Sequence, residues 1–321
     1  MRAIVIEEQG GPEVMRLTQA PDPQPGPGEV LIDIAARGVN FIDVYQRSGA
    51  YSVSTPFTPG VEAAGSVAAV GSGVAEFSPG DRVAWAMLPG GYADRAAVPA
   101  DRVVPVPDGV TAEQAAATLL QGMTAHYLTH ATYPIQPGDT VLVHAAAGGT
   151  GLLLVQLAKA RGATVIGTAS TEAKQRLARE AGADEIIDYT ATDVAPAVRD
   201  LTEGAGVAAV YDGVGADTFD ASLASLRPRG VLALFGQASG AVPPVDPQRL
   251  NTAGSVYLTR PSLAHYVAAR AELLERASDV FGLVAAKRLD VRVGGRYALA
   301  DAGRAHEDLA ARRTTGKLLL V

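Results

Sequence analysis

The stretch Thr140-Val-Leu-Val-His-Ala-Ala-Ala-Gly-Gly-Thr-Gly151 constrains this chain more than any other. Pro137-Gly138 marks a turn, and the apolar run after Thr140 predicts a short buried strand. After His144 only small side chains occur, and residues 146–151 have the spacing of a dinucleotide fingerprint, with Ala146 where the first glycine usually stands. An anion reaches the N-terminus of a helix only where nothing larger than a methyl projects, because it must accept bonds from amides without a partner in the helix. Gly148 permits that approach, and Gly151 lets the next helix press against the sheet. That helix is predicted over 152–161 with Gly162 as its stop, and a second strand over 163–168. Strand, turn, helix and strand in this order separate a dinucleotide site from an ordinary turn of small residues.

Upstream the pattern differs. Short β-type runs at 3–6, 30–34, 64–70, 81–85 and 92–98 are separated by clusters such as Pro25-Gly-Pro-Gly28 and Ser78-Pro-Gly80, without helical periodicity between them. They predict a compact β barrel or roll. Thr111 with Gln114 three residues on has the form of a reciprocal helix cap. His126 and His130 are one helical turn apart, but Tyr127 stands where a zinc protease motif needs Glu, so they read as ordinary helix-face histidines. Downstream, strand signals at 185–188, 207–211, 231–235 and 255–259 alternate with helical ones, which with the first two makes about six strands, the number of a doubly wound dinucleotide domain. Residues 291–297 and 317–321 read as strands that return to the first domain.

Length and charge narrow the partners. A chain of 321 residues has room for about two cores. With a net charge of −7 and no basic run, neither nucleic acid nor an anionic membrane is expected as a partner. There is no cysteine, which excludes disulfides and thiolate metal sites. No signal-peptide core opens the sequence and no apolar stretch approaches the ~18 residues of a membrane span, so a cytoplasmic location is expected.

The choice of nicotinamide cofactor turns on the end of the second strand. An NAD site usually has an acidic residue about 20 positions beyond the glycines to take the ribose hydroxyls. Here Thr168-Ala169-Ser170 carries none. Ser170 can donate to a 2′-phosphate, Lys174 can supply its counter-charge and Tyr189 can cover the adenosine; otherwise Ser170 caps the helix that contains a solvated Lys174. The missing carboxylate favours NADPH over NADH.

Gly38-Val-Asn-Phe-Ile-Asp-Val-Tyr-Gln-Arg-Ser-Gly-Ala-Tyr51 strongly resembles the zinc-independent, zeta-crystallin-like quinone oxidoreductases of the medium-chain dehydrogenase/reductase superfamily. The likeness continues through Pro59-Gly-Val-Glu-Ala-Ala-Gly65, Gly80-Asp-Arg-Val83, His144-Ala-Ala-Ala-Gly-Gly149, Tyr211-Asp-Gly-Val-Gly215, Thr259-Arg-Pro-Ser-Leu263 and Thr314-Thr-Gly-Lys317, and so spans essentially the whole chain. It implies an α/β protein with a GroES-like, β-rich catalytic domain (1–123 and 263–321), a Rossmann domain with a doubly wound parallel sheet (124–262), and a homodimer formed through the Rossmann domains. Where zinc-containing relatives have a cysteine ligand this chain has Asn40, and their Gly-His-Glu is Gly60-Val61-Glu62. Neither Asn nor Val can replace those ligands, and the four-cysteine lobe is missing.

Without a Lewis acid an alcohol is hard to activate as a hydride donor, whereas a quinone is electrophilic already. Its reduction needs the nicotinamide held against the ring and donors for the developing oxyanion. Asn40, Tyr45 and Tyr51 are the candidates to line that cleft, with Asp43 orienting neighbours or cofactor. On the alternative reading Asn40 makes a turn and the tyrosines are half-buried barrel residues. The resemblance implies cofactor contacts at Phe41, Ile42, Asp43, Val44 and Tyr45, and at Gln121, Thr124 and Tyr127. It adds Gly149 and Thr150 beside Gly148 and Gly151, the 170–174 segment, Tyr189, Phe235, Gly236, Gln237 and Arg312. The expected activity is NADPH-dependent quinone reduction. Reduction of an activated double bond, in an enone or enoyl thioester, is the alternative within enzymes, and a non-catalytic NADPH-binding protein the alternative outside them.

Overall fold

The computed structural model describes all 321 residues. They form two compact units, the first made of residues 1–123 and 266–321, the second of residues 124–265.

In the first unit a bent strand, Glu29–Val39, is the organising element. Its alternating Val30, Ile32 and Ile34 point into a core with Val67, Val83, Trp85, Val98 and Val103, the period-two pattern of a half-buried strand. It pairs antiparallel with three others: Glu62–Val70, Arg95–Pro99 and the C-terminal Lys317–Leu320. Register decides what meets at its end. Leu318 lies opposite Val39 and Ala63 opposite Arg37, so Lys317, Glu62 and Asn40 converge from three distant parts of the chain. Arg82–Ala86 and Val103–Pro105 extend the sheet on one side and Val293–Tyr297 on the other. A separate pair, Arg2–Val5 with Arg16–Gln19, includes a strand without a clear sequence signal: Arg16 and Leu17 face solvent and the segment buries little.

The second unit is a six-stranded parallel sheet in the order Glu185–Ile187, Thr164–Thr168, Thr140–Val143, Val207–Asp212, Leu226–Leu234, Tyr257–Thr259. Strand order reverses between Thr140–Val143 and Val207–Asp212, and ligands of such sheets bind at the carboxyl ends of the strands at that point. Leu142, Ile166, Val210 and Leu232 fill the centre of its core. The helix Gly149–Ala160 leaves the first of these strands and ends in a left-handed Gly162 (φ +82°). There the Ala163 N–H returns to the Ala158 carbonyl and the Gly162 N–H to Lys159, a Schellman cap that only glycine adopts without strain. The reciprocal bonds of Thr111 and Gln114 cap the long helix Ala112–Tyr127.

Candidate active site

In the first unit the residue after the bent strand, Asn40, starts the helix Phe41–Ser48. Its backbone N–H donates to Asp43 Oδ2 (2.9 Å), which is one half of a capping box. That frees the Asn40 side chain for other partners. Its Oδ1 accepts from Lys317 Nζ (2.8 Å) and from Gln121 Nε2; its Nδ2 donates to Glu62 Oε2 (3.1 Å) and the Gly38 carbonyl (3.3 Å). Lys317 Nζ and Glu62 Oε2 are themselves paired at 2.6 Å, and Glu62 Oε1 takes the Leu120 N–H. The pair is shut away from water, with Lys317 3% and Glu62 0% exposed. Burial pulls the ammonium of Lys317 down while the Glu62 carboxylate holds it up. Opposite charges thus grip the two ends of one amide, and the orientation of Asn40 follows from them.

Asp43 anchors a second buried set. Its Oδ1 accepts the Val61 N–H (3.0 Å) and its Oδ2 the Tyr92 hydroxyl (3.1 Å). The Tyr92 hydrogen is spent there, so His306 Nε2, 3.1 Å from the Tyr92 oxygen, carries its own hydrogen and donates it. Burial pushes Asp43 up to about 6 and His306 down to about 3. Folding therefore keeps His306 neutral, and the stabilisation it contributes is complete above pH 6.5 and is lost as the pH falls. Asp43 has the opposite sign: its contribution is complete below 3.8 and is lost as pH rises through 6. His306→Phe keeps a ring against Tyr92 but removes the first slope. The advantage of wild type over this variant should shrink by about 2 kcal/mol between about pH 6.5 and pH 5. Urea unfolding followed by the fluorescence of Trp85, the sole tryptophan, reads it; an unchanged gap would show that His306 does not titrate as placed.

Phe41, Ile42, Val44 and Tyr45 share the short helix with Asp43, and all four are half-buried. Tyr51 follows the helix and lies against Tyr45, ring centroids 5.1 Å apart. Gln121 meets Asn40, as above. Arg312 sits on an exposed turn of the same unit with φ +57°.

In the second unit most of the remaining candidates follow the carboxyl ends of the strands of the sheet. Gly148 begins the fingerprint helix, and a side chain there would meet only the Ala145 carbonyl, at 3.2 Å. A cradle that a Cβ would fill therefore lies open at this position. At Gly151 the same carbonyl would be struck at well under 3.0 Å, which accounts for the glycine by close packing of helix and turn. Thr150 and Gly149 lie in the first turn of the helix. Ser170 follows the strand Thr164–Thr168, but the helix Glu172–Glu180 with Lys174 is capped by Thr171, whose Oγ1 accepts the Lys174 N–H (3.3 Å). The Ser170 hydroxyl is thus not needed for capping. Tyr189 stands 42% exposed beyond the strand Glu185–Ile187, and Phe235, Gly236 and Gln237 follow Leu226–Leu234. Thr124 and Tyr127 are buried on the long helix, and His126 and His130 stack on each other with centroids 4.2 Å apart. Sequence reasoning gave Lys317 no role at the site, although a lysine opening a strand that is otherwise Leu-Leu-Leu is a signal for a buried, paired charge.

Comparison with known proteins settles the family. Residues 26–108 match the alcohol dehydrogenase GroES-like domain and residues 149–276 the zinc-binding dehydrogenase domain. The chain is 46% identical to a quinone oxidoreductase of Pseudomonas aeruginosa over 100% of its own length and 99% of the relative's. The chain belongs to the quinone oxidoreductases of the medium-chain dehydrogenase/reductase superfamily. A mycobacterial protein solved in complex with NADPH superposes with a TM-score of 0.97 at 55% identity, with 100% of both chains covered. A 2-haloacrylate reductase of a Burkholderia species is 41% identical over 99% of this chain and 98% of its own.

Zinc, which one domain description implies, does not fit the residues present. No three His, Cys, Asp or Glu side chains are grouped to hold a metal ion. At the place the resemblance gives to zinc ligands stand Asn40 and Val61, and the Lys317 ammonium is already bonded to the Asn40 and Glu62 oxygens. A metal cation there would meet a fixed positive charge.

Proposed function

We propose that this chain reduces quinones with NADPH. The observation that carries the reading is the lysine–glutamate pair locked beside Asn40, which puts an internal cation where metal-dependent relatives of this fold would bind theirs. An acceptor handled by such a site must supply its own electrophilicity, and a quinone does. The names of the relatives and the NADPH complex of a 55% identical protein support the same reading.

Reduced nicotinamide, when bound, would supply the reducing equivalents, as a hydride or as single electrons. The amides that open the helix Gly149–Ala160 would take the pyrophosphate, Ser170 and Lys174 the 2′-phosphate, and Tyr189 the adenosine. Phe235, Gly236 and Gln237 would border the cofactor from the end of the strand Leu226–Leu234. Tyr45 and Tyr51 are the proposed acceptor wall: their rings pack together, half-buried, and their hydroxyls are donors for an oxyanion. Asn40 acts through its neighbours instead, because its two N–H hydrogens go to Gly38 and Glu62. The domain limits 124–262 for the cofactor part, a homodimer through these domains and a cytoplasmic location belong to the same proposal; no helix is long and apolar enough to cross a membrane.

The haloacrylate reductase relative favours a second reading, reduction of an activated carbon–carbon double bond. Purified protein given NADPH with 1,4-benzoquinone, a 2-enoyl thioester or 2-chloroacrylate separates the two. Oxidation of NADPH with benzoquinone, and much slower oxidation with NADH, is expected. Turnover with an unsaturated acid or thioester alone would replace the first reading by the second.

A further inference from the structure

A buried line of hydrogen bonds in the second unit runs in one direction only. Asp212, at the end of the strand Val207–Asp212, receives the N–H groups of Val214 (2.8 Å) and Gly215 (3.0 Å) on Oδ1. The hydroxyls of Thr218 and Ser222 reach its Oδ2, each at 2.7 Å. With its oxygens taken by four donors it is a carboxylate that only accepts. Ser222 has one hydrogen and gives it to Asp212. His144 Nε2, 3.0 Å from Ser222 Oγ, must therefore donate to that oxygen. Burial holds the His144 imidazole below its ordinary range, hence neutral, so its Nδ1 is an acceptor. Thr168 Oγ1, 3.2 Å away, fills it with its own hydrogen and accepts the Ala145 N–H in turn, also at 3.2 Å.

The line ends on the residue that shapes the glycine turn. Ala145 has φ +49°, a left-handed conformation that costs a non-glycine residue about 1–2 kcal/mol. Its carbonyl accepts the Gly148 N–H (2.9 Å) and is the atom against which Gly151 is packed. The backbone carbonyl of Asp212 also receives the N–H groups of Phe235 (2.8 Å) and Gly236 (3.3 Å), so one residue holds two turns at the carboxyl edge of the sheet.

We infer that Asp212, Ser222, His144 and Thr168 are positioning residues for the cofactor: by clamping Ala145 they aim the amides of Gly149, Thr150 and Gly151, which open the helix, at the pyrophosphate. The inference rests on the reading that this turn takes the pyrophosphate of NADPH. It predicts a loss confined to ligands that carry that group.

Thr168→Val keeps the shape of the side chain without its hydroxyl, and Thr168→Ser restores the hydroxyl. Titration of NADPH fluorescence should show Kd raised about 5- to 20-fold in Thr168→Val and in Ser222→Ala, the range of one unmet buried bond, with Thr168→Ser within about twofold of wild type. Adenosine 2′-monophosphate, which lacks the pyrophosphate, should bind all of them with wild-type affinity. Gly148→Val serves as the control for the turn itself. If it weakens NADPH while Thr168→Val and Ser222→Ala do not, the inference is overturned and the cofactor reading stands. If Gly148→Val binds NADPH normally, the cofactor reading of the turn is lost and the inference with it. Equal weakening of adenosine 2′-monophosphate and NADPH in Thr168→Val would mean general damage to the unit and would also overturn it.

Discussion

Lys317→Met is expected to destabilise the first unit by about 3–5 kcal/mol, the cost of leaving a buried charge without its partner. The methionine fits the volume but leaves Glu62, fully buried, facing Asn40 with one positive neighbour gone. The double variant Glu62→Gln/Lys317→Met should recover more than half of the loss, because Gln keeps an oxygen for the Leu120 N–H and carries no charge to strand. Single substitution and double substitution must therefore differ, which a contact simply deleted would not require. Urea unfolding with Trp85 fluorescence reports on this unit. A single variant as stable as the double would refute the charge account. Turnover with quinone should fall in the single variant even below its unfolding midpoint, since Asn40 then loses the donor that sets its amide orientation.

Gly151→Val should raise the Kd for NADPH at least about 100-fold, or roughly 2.7 kcal/mol. The new side chain would press on the Ala145 carbonyl, a backbone atom that cannot move aside as a flexible side chain can. The helix Gly149–Ala160 must then withdraw from the turn, and its free amides leave the place where an anion would sit. Gly148→Ala makes an instructive contrast. Its methyl meets the same carbonyl at 3.2 Å, so the unliganded fold should keep its stability while cofactor affinity falls. Circular dichroism for stability and fluorescence titration for binding distinguish the two substitutions. Wild-type affinity in Gly151→Val would remove the turn from the cofactor site.

The parts of the fold that were legible beforehand are those built from neighbours in the chain. The strand Thr140–Val143, the small residues after it, the helix and its glycine stop lie within about two dozen residues, and each is specified by local sterics and hydrogen bonding. The helix Phe41–Ser48 was less visible, because its Asn40 cap resembles a turn residue and its exposed side is not strongly polar. The strand Arg16–Gln19 was missed because it buries too little to show a pattern.

By itself the sequence determined the dinucleotide turn, the absence of thiolate ligands and the missing acidic residue after the second strand, since each depends on residue type at short spacing. Only the tertiary structure decided what surrounds Asn40 and what holds Ala145. Lys317 is 277 positions from Asn40 and 255 from Glu62, and no local periodicity records a partner so remote. Strand register brings them together: Leu318 opposite Val39 and Ala63 opposite Arg37 leave no other place for the three polar side chains than against one another. Once buried there, charges must be paired, and that requirement turns three scattered residues into a site.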